Sequence, residues 1–379
     1  MPRNLIICCD GTGNQISTDP SNVMRLWSTL ELDQTQIGFY DPGVGTLGDP
    51  RILTPLRKQL RKRLDGAIGY SIRDNFIEAY SFIARHYQDT DRLFLFGFSR
   101  GAYTARAIAG AIHLFGLTRP EHENLAPYVW RTYSNDDGDE DSKTLFETAA
   151  RFHKRFTRKV PIHFVGVWDT VSSFGLVTHF RTLPHTRDNP SVAHVRHAVS
   201  IDEHRACFRA NHSDPSVPGQ TCKEVWFAGV HSDIGGGYPE RHSGLAKIAL
   251  RWMLREAHAA GLRISEDRYH EVLKDPGPDP SAEQHESLDG WWRLLEFLPQ
   301  RRWNHAKRRL AWHLPSFFRR RPMCSRERPV PTVHESVRDR IGAGSYRPRN
   351  MTANVNWEPS GADPFPMASS APATLPSPA

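Results

Sequence analysis

A serine, an aspartate and a histidine, each placed just past a short apolar run, are the residues of this chain whose types could work together chemically. Ser99 stands in Gly97-Phe-Ser99-Arg-Gly101, after an apolar run at 93–98 and before an Ala/Ile-rich stretch at 101–115. Glycines two places to either side of a serine allow a strained strand-to-helix turn that lifts the hydroxyl above a sheet. The next backbone N–H then points at a developing oxyanion. A hydroxyl is a poor nucleophile until a histidine takes its proton, and that histidine needs a carboxylate to fix its tautomer and stabilise its cation. Asp169 ends the run Ile162–Trp168, and the run at 224–230 leads into His231-Ser-Asp233-Ile-Gly-Gly-Gly-Tyr238. Ser99, Asp169, His231 follows the Ser…Asp…His chain order of the hydrolase elbow. Asp233 with His334, the latter in Val333-His-Glu-Ser-Val337, is the rival pair. Spacing leaves both open.

The first apolar run, Asn4–Cys9, ends in Asp10-Gly11-Thr12-Gly13-Asn14. The N–H groups of Gly11 and Thr12 are expected to join that of Arg100 in an oxyanion hole, where one donor is worth ~3 kcal/mol of barrier. The competing reading is a turn in which Asp10 merely caps backbone amides. A different chemistry would gather Asp10, Asp169, His231 and Asp233 into an oxygen-rich cation site for metal-dependent hydrolysis. That arrangement leaves Ser99 without a task. The acyl-enzyme route needs no cofactor, and none is expected.

For these groups to meet, the apolar runs must lie side by side. Asn4–Cys9, 93–98, Ile162–Trp168 and 224–230 are four to eight residues long and apolar on both faces, as buried parallel strands are. Helical periodicity separates them. Ile72, Phe76, Tyr80, Ile83 and Tyr87 fall at three- and four-residue steps, as do Leu245, Ile248, Ala249, Trp252, Met253 and Ala257. The rhythm predicts an α/β fold with a mostly parallel central sheet, helices on both faces, and reactive groups at the strand C-terminal ends.

The chain has 379 residues, 39% hydrophobic and 24% charged, a composition that excludes a fibre, a coiled coil or a disordered chain. Its formal net charge of +7 is local. Residues 301–328 hold ten Lys/Arg against Glu327 alone, a net +9 that leaves the remainder at −2, so a nucleic-acid-binding body is not indicated. Five cysteines without zinc-site spacing read as reduced thiols. The N-terminal apolar run is too short for a signal peptide or a membrane span. Synthesis in the cytoplasm is expected, with signal-independent secretion left open. One hydrolase domain is expected over 1–357, with a helical cap or basic aromatic insertion near 265–328 and a Pro-rich disordered tail over 358–379.

Taken together, CDGTGN at 9–14, Tyr40-Asp-Pro-Gly-Val-Gly45, GFSRGAYTAR at 97–106, VWDTV at 167–171, Ile201-Asp-Glu-His-Arg205, HSDIGGGY at 231–238 and HESV at 334–337 form a joint signature. Through them the chain resembles the α/β-hydrolase domain family that includes the catalytic domains of type VI secretion phospholipase effectors. The resemblance implies an α/β-hydrolase core, an ester or phospholipid substrate, and Ser99, Asp169 and His231 as nucleophile and relay. It leaves Asp10, Asp233 and His334 as site-lining or rival residues, and it brings immunity or secretion partners into view.

Trp291, Trp292, Phe297, Trp303, Trp312, Phe317 and Phe318 are interleaved with the basic cluster. Rings settle at the headgroup level of a bilayer and each nearby cation adds ~1 kcal/mol of attraction, so 291–328 suits an anionic membrane surface. The plainer reading is a cap whose rings are buried and whose arginines face water. A non-catalytic interaction protein on a hydrolase scaffold is the remaining alternative, since fold alone does not prove activity.

Overall fold

A computed structural model describes residues 2–11, 19–43, 70–134, 142–171, 183–205, 208–288, 300–304, 309–313, 320–324, 329–344 and 346–366. In chain order the strands are β1 (Asn4–Cys9), β2 (Gln36–Asp41), β3 (Arg92–Phe98), β4 (Leu117–Thr118), β5 (Thr157–Arg158), β6 (Ile162–Trp168), β7 (Val192–Ser200), β8 (Thr221–Phe227), β9 (Gln300–Asn304), β10 (Arg309–His313), β11 (Thr332–His334) and β12 (Asn356–Glu358). Eight of them form one sheet in the order β12-β11-β8-β7-β6-β3-β1-β2. Every pairing in it is parallel. All strand C-termini therefore open on one edge, which is where the chemistry must sit. The order reverses between β1 and β3, the switch point at which open α/β sheets leave a crevice.

The strand sequences explain the layering. With a side-chain period of two, Leu5, Ile7, Cys9, Leu93 and Leu95 enter one core, and Ile6, Cys8, Phe94, Phe96 and Phe98 enter the other. The first is covered by the helices Tyr70–His86, Arg100–Phe115, Ala126–Ser134 and Ser142–Phe156, the second by Asn22–Thr29, Gly244–Ala259 and Glu266–Leu273. Each fully buried Phe or Leu contributes ~1.5–3 kcal/mol, so both faces must be covered for the sheet to persist. This is the expected α/β-hydrolase-like architecture. A third cluster, Val199, Ile201, Trp226, Ala228, Met323, Val333, Val337 and Tyr346, seats the β11 side of the sheet and the segment around Met323.

Three details depart from the sequence reading. The strand expected at 224–230 spans Thr221–Phe227, because 228–230 turn over the sheet edge. In the region expected to form a helical cap or basic aromatic insertion, near 265–328, the described residues give the helix Glu266–Leu273 and an antiparallel hairpin of β9 with β10, while 289–299, 305–308, 314–319 and 325–328 lie outside the described residues. Each of these strands carries a tryptophan, Trp303 and Trp312, a residue type enriched in strands. The tail expected from Glu358 is structured in its first part. Glu358 ends β12, where its carboxylate accepts from Lys223 Nζ at 2.9 Å and Trp252 Nε1 at 3.2 Å, and Phe365 packs against Tyr269. Residues 367–379 lie outside the described residues.

Candidate active site

Between β3 and the helix Arg100–Phe115, Ser99 adopts φ 58° and ψ −119°, a region that side chains rarely occupy and that marks stored strain. The two flanking glycines make the turn sterically possible. A Cβ on Gly97 would lie 2.5 Å from the Gly101 carbonyl oxygen, and one on Gly101 would lie 2.1 Å from the Cys9 carbonyl oxygen. Close approach of Gly101 to the end of β1 places Ser99 at the switch point. Its N–H donates to the Trp168 carbonyl at 3.1 Å, tying the turn to β6.

Ser99 Oγ lies 2.8 Å from His231 Nε2, and His231 Nδ1 lies 2.5 Å from Asp169 Oδ2. Asp169 follows β6 directly, with φ 38° and no exposed surface. Its carboxylate fixes the tautomer: Nδ1–H donates to Asp169, which leaves Nε2 to accept from the Ser99 hydroxyl. Burial disfavours the Asp169 charge, but the Arg321 guanidinium and the His231 hydrogen bond outweigh it and hold the carboxyl well below the usual carboxylate range. For His231, 4% exposed, burial pushes the imidazole down and the Asp169 hydrogen bond offsets only part of that. A neutral, oriented imidazole against a serine hydroxyl is what proton abstraction requires.

His231 opens the short helix His231–Gly235, with its ring 4.7 Å from that of Phe98 and 4.9 Å from that of Phe208. A Cβ on Gly235 would fall 1.9 Å from the Phe98 ring. The glycine run after His231 is thus what lets this helix lie on Phe98 and bring the imidazole back to Ser99.

The rival pair does not assemble. Asp233 Oδ2 accepts from the Val230 N–H at 3.0 Å, and Oδ1 is 2.7 Å from His285 Nδ1. His334 caps the helix Glu335–Gly342, its Nδ1 accepting from the Ser336 N–H at 3.2 Å, and its ring stacks on Phe227 with centroids 4.8 Å apart. It ends β11, four strands from β3, a separation of ~19 Å at ordinary strand spacing. The four residues considered for a cation site do not converge either. Asp10 is engaged by Ser21 and Tyr40, Asp169 by Arg321, and Asp233 by His285.

Around Asp10 the amide-capping alternative describes the geometry. Oδ1 accepts from the Gly11 N–H at 2.6 Å, while Oδ2 accepts from Ser21 Oγ at 2.6 Å and Tyr40 Oη at 2.5 Å. The expectation that Gly11 supplies an oxyanion donor is corrected accordingly, because its N–H is turned onto its neighbour's carboxylate. Thr12 lies outside the described residues. Arg100 leads its helix immediately after Ser99, and burial lowers its guanidinium to about 10.

Sequence reasoning missed three charged residues here. Arg321 donates from both terminal nitrogens to Asp169. Glu203 accepts from Arg205 and, at 3.3 Å, from the His231 N–H. Glu203 and Arg205 lie within the block 201–205 already singled out, whereas Arg321 sits in a basic run with no local sign of such a role.

The family described as the type VI secretion system phospholipase effector Tle1-like catalytic domain matches residues 3–256. A stretch of 219 residues is 35% identical to the uncharacterized protein YEL023C of Saccharomyces cerevisiae, covering 55% of this chain and 32% of that protein. An uncharacterized protein from Pseudomonas aeruginosa, known from a crystal structure, is 20% identical over 73% of this chain and 49% of its own, with a TM-score of 0.42. The Tle1 effector, in a structure where it is bound to the VgrG spike of the type 6 secretion system, is 21% identical over 64% of this chain and 52% of its own, with a TM-score of 0.37. The chain thus spans 32% of the curated relative and 49% and 52% of the two solved chains.

Proposed function

The chain belongs to the type VI secretion phospholipase effector Tle1-like catalytic-domain family, and on that premise we propose that it is a serine hydrolase cleaving carboxylic esters of phospholipids through an acyl-enzyme. The observation that carries this reading is the relay from Ser99 Oγ through His231 to Asp169, at 2.8 and 2.5 Å. In the first half-reaction Ser99 Oγ bonds to the ester carbonyl carbon while its proton passes to His231 Nε2. Collapse of the tetrahedral adduct breaks the bond to the leaving oxygen, which takes that proton from His231 as it departs. Water then repeats the sequence on the acyl-serine, with His231 again as base, and releases the fatty acid. The Arg100 N–H, next after the elbow serine, is the donor assigned to the oxyanion. Asp169 stays ionised throughout and stabilises the imidazolium that forms twice per turnover.

The basic aromatic stretch 291–328, apart from Arg320 and Arg321, which pair with Asp202 and Asp169, is assigned to docking on an anionic bilayer, which its composition supports. No helix among the described residues is long and apolar enough to cross a membrane. A fluorophosphonate probe tests the chemistry. Covalent labelling of the wild type, absent in Ser99→Ala together with phospholipid hydrolysis, is the expected result. Hydrolysis that survives Ser99→Ala but disappears with a chelator would transfer the activity to metal chemistry. Binding to anionic vesicles that weakens as salt rises is expected for the docking surface, and equal binding to neutral vesicles would argue against it.

A further inference from the structure

Asp169 is held by more than its partner imidazole. Oδ1 accepts from the Ser200 N–H at 3.0 Å and from Arg321 Nη1 at 2.5 Å, and Oδ2 accepts from Arg321 Nη2 at 3.1 Å beside the bond from His231. A guanidinium fork that grips both oxygens fixes the plane of a carboxylate, which a single flexible donor cannot do. Arg321 is itself buried and anchored. Its Nε donates to the Phe208 carbonyl at 2.8 Å, Nη2 donates to the same oxygen, and its own carbonyl accepts from Asn350 Nδ2 at 2.9 Å. Arg320 donates to Asp202, just past β7, at 2.9 Å. Consecutive arginines thus fasten one short segment to the ends of two neighbouring strands.

His231 lies between two such charge pairs. On the other side, Arg205 donates to Glu203 through Nε at 3.0 Å and Nη2 at 2.8 Å, and its guanidinium lies 3.6 Å from the centroid of the Phe208 ring that edges His231. Among the described residues, the charged pairs on either side of the imidazole are Asp169 with Arg321, and Glu203 with Arg205. Each carboxylate is matched by a guanidinium. An unmatched buried carboxylate would draw a proton onto His231 and leave no lone pair for Ser99.

Resting on the serine-hydrolase reading above, we infer that Arg321 is a positioning residue for the reaction: it sets the plane of Asp169 and offsets its charge, so that His231 stays neutral and aimed at Ser99. The test uses the full chain and a p-nitrophenyl ester, with kcat and KM followed across pH. Arg321→Gln removes the charge and the fork. It should lower kcat roughly ten- to a hundredfold with KM little changed, a part of what a positioned general base supplies. The acid limb of kcat/KM should also move up by about one pH unit, the effect of one neighbouring charge. Arg321→Lys keeps the charge without the fork, so it should lose rate while its limb stays near that of the wild type.

Activity within about twofold and an unmoved limb in Arg321→Gln would overturn the inference. Should neither variant fold, Asn350→Ala decides, since it frees the main chain of Arg321 and leaves the guanidinium in place. A severalfold lower kcat with KM unchanged supports the inference, and kcat equal to that of the wild type overturns it. Full activity in Ser99→Ala would instead remove the hydrolase reading itself, whereas an inactive Ser99→Ala beside an unaffected Arg321→Gln removes only the role given to Arg321.

Discussion

Two histidines near the open edge of the sheet, His231 and His334, are almost equally buried, at 4% and 2% exposed, and burial lowers the basicity of both. Their surroundings differ in kind. His231 has a carboxylate on one nitrogen and a serine hydroxyl on the other, while His334 has Ser336 on Nδ1, the Phe227 ring against its face, and Arg255 and Arg251 among the causes that push it down to about 3. Burial makes either ring neutral. Only pairing with a carboxylate makes it a base that can carry a proton and return it.

The contrast can be broken most directly by exchanging roles. His231→Ala and Ser99→Ala should each reduce kcat for ester hydrolysis by about 10⁵-fold or more, the scale on which loss of a base or nucleophile acts. His334→Ala should stay within about threefold. A His231→Ala enzyme of near-normal turnover, beside a His334→Ala enzyme down a thousandfold, would reverse the comparison. Asp169→Asn keeps the shape but favours the wrong tautomer, and a loss of about 10⁴ in kcat with substrate binding retained is expected. Burst kinetics would place that loss in the acylation step.

Stability sharpens the other half. His334→Ala removes a helix cap and a ring contact, so denaturant melts should show a loss of about 2 kcal/mol at neutral pH. The smallest effect is the pH dependence. Below an unfolded value of about 6.5 the unfolded chain binds a proton that buried His334 does not. Its contribution therefore falls as pH falls from there toward about 3. Replacing His334 by Gln should flatten the loss of stability between pH 7 and 5 by about 1–2 kcal/mol. An unchanged slope would mean that His334 is protonated in the fold.

Much of this arrangement was legible in local sequence. β1, β3 and β6 announce themselves as short runs apolar on both faces, and the glycines beside Ser99 declare the elbow because no side chain fits there. β7 was missed because His194, Arg196 and His197 break its apolar run. Of these, His197 lies buried against Glu224 and Arg196 is paired with Glu256. Choosing between the two Asp/His pairs required strand order, which spacing along the chain does not encode. Arg321 was illegible for a related reason: an arginine in a basic run looks solvated until the fold brings it to a buried carboxylate 152 residues away in sequence.

The run of parallel pairing from β8 through β11 to β12 bears on how the protein can be handled. A fragment trimmed to the family match, 3–256, would keep Ser99, Asp169 and His231 but strip two ribbons from one flank of the pleated layer. The bared main-chain donors and acceptors of β8 would be a template for a foreign chain. Such a fragment is expected to clump during expression, and cut sites placed beyond Glu358 would spare that flank.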